Sequence, residues 1–140
     1  MRLAIALVML MAIVVPARAT STPSSRLCNP DRIKQTNVWV DCLQKALDSA
    51  EERLRAATTK IAVRMQAGDM LEEPTRTENR MQFEAIQKQW QTLRDQDCKS
   101  FAAHRAGLGF GAVQFRLICL LDETVYRIDA LKAHYVEELD

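Results

Sequence analysis

Length and charge set the first limits on what this chain can do. Its 140 residues suffice for one domain, and 19 basic against 18 acidic side chains give a formal charge of +1. A charge so close to zero gives no support for nucleic-acid binding or for attraction to an anionic membrane surface. Any partner must therefore be recognised by shape and by local groups.

The first 19 residues have the pattern of a secretory signal peptide. Arg2 provides a minimal charged start, an apolar run extends from Leu3 to Val15, and Ala17-Arg18-Ala19 is a small-x-small cleavage site. A membrane anchor is the alternative, but the run is shorter than the roughly 20 residues that span a bilayer. Cleavage after Ala19 would leave 121 residues with 17 basic and 18 acidic side chains, because Arg2 and Arg18 are removed. We expect an exported protein, periplasmic or secreted, with no membrane insertion after cleavage.

Four cysteines remain after this cleavage, and an even number in an exported chain predicts two disulfides. They are Cys28, Cys42, Cys98 and Cys119. A zinc site is the alternative, but no two cysteines have the spacing of zinc ligands, and His104 and His134 form no paired motif. We therefore expect disulfides, and neither a metal nor a cofactor.

The segment 20–27 is rich in Ser and Thr, and we expect a flexible leader that buries nothing. One continuous helix would hold Cys28 and Cys42 about 21 Å apart, so a bond between them requires a break, with Thr36 or Asn37 as the next N-cap. Apolar residues then recur every three or four positions and predict a long helix from residue 38 to 67, ended by Gly68. These residues are Trp39, Leu43, Leu47, Ala50, Leu54, Ala57, Ile61 and Met65.

A second helix carries the most distinctive pattern in the chain. Gly68 to Pro74 is expected to be a loop, and Thr75 to Glu78 has the spacing of a capping box, so the helix should run from after Thr75 to about His104. On this helix Trp90, Arg94 and Cys98 form one stripe. We expect the neighbouring rows to complete its apolar face with Phe83, Ile86, Leu93 and Phe101.

Three glycines at alternate positions, Gly107, Gly109 and Gly111, should end this helix. A phosphate-binding loop is the alternative interpretation, but it would need a preceding strand and a different glycine spacing. A third helix is predicted from about Ala112 to Glu138. Because no segment alternates with a period of two, the predicted fold is all-α: one domain, residues 28–140, built as an antiparallel bundle of three long helices stapled by two disulfides.

In such a bundle all four cysteines lie near the same end, so geometry alone does not exclude any of their three pairings. We favour Cys28 with Cys42 and Cys98 with Cys119, because neighbours in sequence meet most easily and the depths of the last two match across the glycine segment. Each bond would contribute about 3 kcal/mol on the chain-entropy model.

The remaining candidate residues favour structure over catalysis. Trp90 lies in the middle of a helix among apolar residues, where a core position is more frequent than a binding role. Arg94 and Arg127 are expected to reach a carbonyl or carboxylate on a neighbouring helix rather than a ligand. Asp95 and Asp97 could be imagined as a catalytic pair, but we place them on a solvated face without a cleft. We therefore expect that the protein is not an enzyme.

Two groups of residues make the chain resemble the LprI-like lysozyme inhibitor family of small exported helical bacterial proteins. The first is Gln87-x-x-Trp90-x-x-x-Arg94-x-x-x-Cys98. The second comprises Cys119, Thr124, Arg127 and Leu131, and Cys28 and Cys42 precede both groups. The resemblance covers nearly all of the chain after the signal, and it implies the helical fold more strongly than it implies an activity.

Two functions follow as hypotheses. The resemblance implies a protein that binds and blocks a lysozyme or related muramidase, whose cleft carries two carboxylates. The candidate binding loop consists of His104, Arg105, Gly107, Gly109 and Gly111. The alternative is a periplasmic interaction or scaffold protein without inhibitory activity, which would leave an apolar helix face uncovered. The oligomeric state does not follow from the sequence.

Overall fold

The computed structural model describes residues 21–68, 71–107 and 109–135, and this part of the chain is helical. A short helix, α1 (Pro23–Leu27), precedes three long ones: α2 (Thr36–Ala67), α3 (Glu73–Ala106) and α4 (Phe110–His134). The proposed signal peptide, residues 1–19, lies outside the described residues. None of the described helices is long and apolar enough to span a membrane.

The three long helices form an antiparallel bundle. Along α3 and α4, residue pairs in contact run in opposite directions: Phe83 meets Tyr135, Arg94 meets Thr124, and Cys98 is bonded to Cys119. Helix α4 packs against both α2 and α3, and α2 packs against α3. The predicted fold class is confirmed.

Both expected disulfides are present, in the favoured pairing. Cys28 is bonded to Cys42 and Cys98 to Cys119, with Cα–Cα distances of 5.9 and 5.5 Å. The first bond ties the segment before α2 to the start of that helix, and the indole N–H of Trp39 donates to the carbonyl of Cys28 at 2.9 Å. The second joins α3 to α4. Both bonds lie toward the same end of the bundle, which we call the cysteine end.

The predicted end of α2 is confirmed, but the helix begins at Thr36, two residues before the predicted start, and its predicted cap is wrong. Gln35 is the N-cap and makes no capping hydrogen bond with its side chain, while Thr36 is already helical. The N–H of Gly68 donates to the carbonyl of Arg64 and closes the last turn. The buried residues Leu43, Leu47, Ala50, Leu54, Ile61 and Ala62 follow the predicted stripe closely.

Helix α3 begins earlier than the capping-box pattern predicts. Its N-cap is Glu72, Pro74 occupies its first turn, and Thr75 lies inside the helix. Proline fits this position because the first N–H groups of a helix have no intrahelical acceptor. The hydroxyl of Thr77 instead donates to Glu73 at 2.8 Å, within the helix. The capping box from Thr75 to Glu78 is therefore incorrect.

At its other end α3 stops at Gly107, whose φ of 64° lies in the left-handed region that favours glycine. Helix α4 starts at Phe110, two residues before the predicted start, so Gly111 lies within its first turn. A Cβ atom on Gly111 would come within 3.2 Å of the Cβ of Ala106, which shows how closely the two helices approach here. The predicted end of α4 at Glu138 lies outside the described residues.

The expectation that segment 20–27 buries nothing is wrong for two of its residues. Pro23 and Ser24 are buried in α1, which packs against α4 and α2. The backbone N–H of Ser24 donates to one oxygen of Asp122 at 2.6 Å, and its hydroxyl donates to the other at 3.0 Å. A single carboxylate on α4 thereby holds the start of the described chain.

The hydrophobic core consists of two clusters. The cluster at the cysteine end includes Cys28, Leu43, Leu47, Cys98, Leu117 and Leu121. The cluster at the far end includes Leu54, Ile61, Phe83, Ile128 and Leu131. Between them lies a layer of polar side chains that reaches across all three long helices.

Candidate functional site

Arg94 is the centre of this polar layer. Its side chain is buried, and its guanidinium donates to the hydroxyl of Thr124 on α4 at 2.8 Å and to a carboxylate oxygen of Glu51 on α2 at 3.0 Å. The same guanidinium donates to Asp95 at 2.7 Å. Thr124 is fully buried, and its hydroxyl donates a hydrogen bond to the carbonyl of Leu120 at 2.6 Å. One cation therefore connects α2, α3 and α4, with two carboxylates beside it and four of its five N–H groups donating hydrogen bonds.

Trp90 lies close to two guanidinium groups. The guanidinium carbons of Arg94 and Arg127 lie 5.3 and 5.5 Å from the centre of its ring, within the range of cation–π attraction. Arg127 also donates two hydrogen bonds to the amide oxygen of Gln87, at 3.1 and 2.9 Å. The structure thus places Trp90, Arg94 and Arg127 in one interhelical cluster.

Gln87 is a part of this cluster that we did not single out from the residues. It is buried although it is polar, because its amide oxygen accepts from Arg127 across the α3–α4 interface. In the sequence, its burial was indicated only by its position about one turn before Trp90, as the first residue of the motif that runs to Cys98.

The apolar face of α3 is narrower than predicted. Phe83 is buried, but Ile86, Leu93 and Phe101 are exposed at 51, 58 and 42%. The row that faces inward instead reads Phe83, Gln87, Arg94, Cys98 and Ala102. Periodicity predicted the helix correctly, but hydropathy gave the wrong inward face. The polar residues at the centre of that face are buried because they are hydrogen-bonded, and hydropathy alone does not indicate this.

The candidate binding loop lies at the cysteine end of the bundle. His104 and Arg105 are exposed in the last turn of α3, and Gly107 and Gly109 follow them in the connection to α4. The guanidinium of Arg105 lies 5.4 Å from the ring centre of Phe115 on α4, and Phe115 meets Phe101 edge to face at 6.2 Å. The loop is therefore continuous with a row of aromatic side chains between α3 and α4.

No metal site assembles in the described part of the chain, and Asp95 and Asp97 do not come together as a pair. No group of three His, Cys, Asp or Glu side chains could hold a metal ion among these residues. Asp95 lies beside Glu51 and Thr58 in a small groove near α2, whereas Asp97 lines a different groove near α4. Our placement of both on a face without a cleft was wrong. They nevertheless point in different directions and cannot act on one substrate as a pair.

These features define a class: a small, disulfide-bonded helical bundle whose buried polar groups hold the helices together. Its residues 28–131 match the model of a family described as "Lysozyme inhibitor LprI". The match spans most of the chain and includes all four cysteines and the Arg94 cluster, so the protein belongs to the LprI lysozyme inhibitor family. No curated protein and no solved structure matches the chain.

Proposed function

We propose that the protein is exported and acts on a lysozyme or related muramidase as an inhibitor. The observation that carries this proposal is the family match over residues 28–131. Two disulfides support export, because such bonds persist in oxidising compartments outside the cytoplasm. The signal-like pattern of residues 1–19 points the same way.

The candidate binding loop supplies a plausible contact with such an enzyme. A muramidase cleft carries two carboxylates flanking the bond to be cleaved. Arg105 and His104 are exposed next to a tight connection, so they could approach those carboxylates ahead of the rest of the bundle. The Cys98–Cys119 bond ties α3 to α4 behind the loop, which would reduce the conformational entropy lost on binding.

The test is a titration of the oxidised protein, from residue 20 onward, into lysozymes of several classes while cell-wall lysis is followed. We expect inhibition near one-to-one stoichiometry for at least one class. Arg105→Ala should weaken that inhibition about tenfold or more, because a charge-assisted contact contributes roughly 1.5–3 kcal/mol. The matched control is Arg53→Ala, which removes an exposed arginine from α2, away from the loop.

Two results would contradict parts of the proposal. If every lysozyme keeps full activity at a large excess of the protein, the inhibitor function is wrong, and the scaffold function becomes the better hypothesis. If the wild type inhibits but Arg105→Ala and Arg53→Ala behave alike, the inhibitor function stands and the loop is not the contact.

A further inference from the structure

A second surface feature adjoins the candidate loop. A groove of about 550 Å³ runs between α3 and α4. We call it the α3/α4 groove, and the lining residues that matter here are Trp90, Leu93, Asp97 and Phe101 from α3 with Glu123 and Tyr126 from α4. It is unlike the buried polar layer, because it opens to solvent along its length.

Large apolar side chains are exposed along this groove. Leu93, Phe101 and Tyr126 have 58, 42 and 49% of their surface accessible. Single exposed apolar residues are ordinary, but these three line one continuous depression beside the ring of Trp90. Contiguous exposed apolar surface is typical of sites that bind a partner.

The charge of the groove decides which partner fits. Asp97 and Glu123 both line the groove, and among the described residues neither of them forms an ion pair. The cation that reaches the groove, Arg94, is already bound to Glu51 and Asp95. The groove therefore combines exposed apolar side chains with two carboxylates that form no ion pair, although the whole chain is nearly neutral.

The neighbouring groove between α2 and α3 lacks this combination. It has a volume of about 860 Å³ and is also lined in part by apolar side chains, including Val63. However, its Arg80 and Glu84 pair with each other at 2.8 Å, and Lys88 adds a cation. That groove gives no reason to prefer one sign of charge in a partner.

We propose that the α3/α4 groove docks a cationic protein surface in which an apolar side chain is flanked by Lys or Arg. The inference rests on the proposed function, because the partner is the lysozyme that the loop would block. Phe101 and Phe115 connect the groove to Arg105, so one surface extends from Trp90 to the loop. Fifteen helical residues give it a length of about 22 Å, suited to one side of a standard interface.

A second copy of the chain fits the groove less well. In a two-fold interface the same patch lies on both subunits. Asp97 and Glu123 would then face the same carboxylates on the other copy, and like charges held close together across an interface cost several kcal/mol. A basic partner removes this conflict.

The experiment measures binding of a purified basic lysozyme to the oxidised protein by calorimetry and by surface kinetics at low and high salt. The double variant Leu93→Ala/Tyr126→Ala should weaken binding at least tenfold. Its matched control is Met81→Ala/Val63→Ala, which removes two side chains of similar exposure, 59 and 60%, outside the groove. The affinity of the control variant for lysozyme should stay within twofold of the wild-type affinity.

A second pair of variants tests the two carboxylates of the groove without removing apolar surface. Asp97→Asn/Glu123→Gln should slow association about tenfold at low salt and reduce its salt dependence, since rim charges act mainly on the association rate. Its control is Glu52→Gln/Glu78→Gln, two exposed carboxylates elsewhere. All four substituted positions are exposed or partly exposed, so circular dichroism should report an unchanged fold.

Each outcome has a distinct meaning. If the wild-type protein neither binds nor inhibits any lysozyme, both the proposed function and the proposed role of the groove are wrong. If the wild-type protein inhibits a lysozyme but the groove variants bind it as their control variants do, only the proposed role of the groove is wrong. If the groove variants change the sedimentation of the free protein and leave lysozyme binding unaltered, the occupant is a second copy, and the proposal is wrong.

Discussion

Gly107 is the residue whose backbone most directly determines how the candidate loop is formed. Its φ of 64° allows α3 to end while its N–H still donates to the carbonyl of Ala103 at 2.9 Å. A residue with a Cβ atom is strained in this sparsely populated conformation by roughly 1–3 kcal/mol. No atom lies within 4 Å of the position that a Cβ would take, so the strain would come from the backbone alone.

We predict that Gly107→Ala lowers the free energy of unfolding by about 1 kcal/mol, measured by urea denaturation. Gly109→Ala is the matched control, because Gly109 has a φ of −83°, which any residue adopts, and its nearest neighbouring atom is 4.0 Å from an added Cβ. The control should lose less stability than Gly107→Ala, because it changes only the N-cap of α4, where glycine is preferred to alanine. Equal losses in both variants would contradict a role for the left-handed backbone of Gly107.

Single residues also show where inference from sequence succeeds. The spacing of Trp90, Arg94 and Cys98 placed them together on α3, since helical periodicity depends only on residue number. The exposure of Leu93 and the burial of Gln87 were not predictable in the same way. Both depend on what α4 presents opposite them, and that is decided by the packing of distant segments.

At the scale of elements, the buried layer around Arg94 decides how the three long helices are aligned. Its partners lie on α2 and α4, and each is within 3.0 Å of the guanidinium. Shifting α2 or α4 along its axis by one turn, about 5.4 Å, would separate Arg94 from Glu51 or from Thr124 and leave the buried guanidinium with fewer partners. The layer thus favours one alignment of the helices over other alignments that would bury as much apolar surface.

We predict that Arg94→Ala lowers the free energy of unfolding by about 3 kcal/mol. This value is at the low end for a buried pair, because the side chains of Glu51 and Asp95 are 41 and 50% exposed and can be rehydrated. Arg94→Lys should also destabilise the protein, since an ammonium group cannot reproduce the planar fork of donors. Chemical denaturation of each variant beside Arg53→Ala provides the measurement.

A double replacement separates alignment from stability. Arg94→Met with Thr124→Val removes both members of the buried Arg94–Thr124 hydrogen bond. Apolar replacements of buried ionic groups are often neutral or stabilising. We expect this variant to unfold at nearly the wild-type denaturant concentration. If it loses as much stability as Arg94→Ala, the layer contributes directly to stability, and our account of it is incorrect.

Element boundaries followed from sequence only in part. The long helices were predicted to within a few residues, because their periodicity extends over many turns. The caps of α2 and α3 were wrong, since Thr36 and Thr75 have the right chemistry but lie inside the helices. Helix α1 was missed altogether because it has five residues, and its stability depends on Asp122, 98 positions away in the chain.

At the scale of the whole molecule, covalent bonds and apolar clusters are unevenly distributed. Both disulfides lie near the cluster at the cysteine end, and the cluster around Ile61 and Phe83 has none beside it. The bonds close segments of 14 and 21 residues, for which the chain-entropy model gives similar stabilisation of about 3 kcal/mol each.

We predict that replacing either cysteine pair with alanine lowers the free energy of unfolding by about 3 kcal/mol. Hydrogen exchange should distinguish the two variants, because loss of Cys28–Cys42 releases α1, whereas loss of Cys98–Cys119 loosens α3 against α4. Adding a reductant to the wild type should reproduce the combined loss. A reductant that leaves the unfolding transition unchanged would contradict the contribution of both bonds.

The position of the Cys98–Cys119 bond also determines what a protease could do to the molecule. The bond spans the connection at Gly107 and Gly109, so a peptide bond cleaved there would leave the two pieces covalently joined. Cleavage between α2 and α3 would be different, because each disulfide would then lie wholly within one fragment. The segment proposed to enter a hydrolase cleft is thus the one connection between long helices at which the backbone can be cut without the halves coming apart.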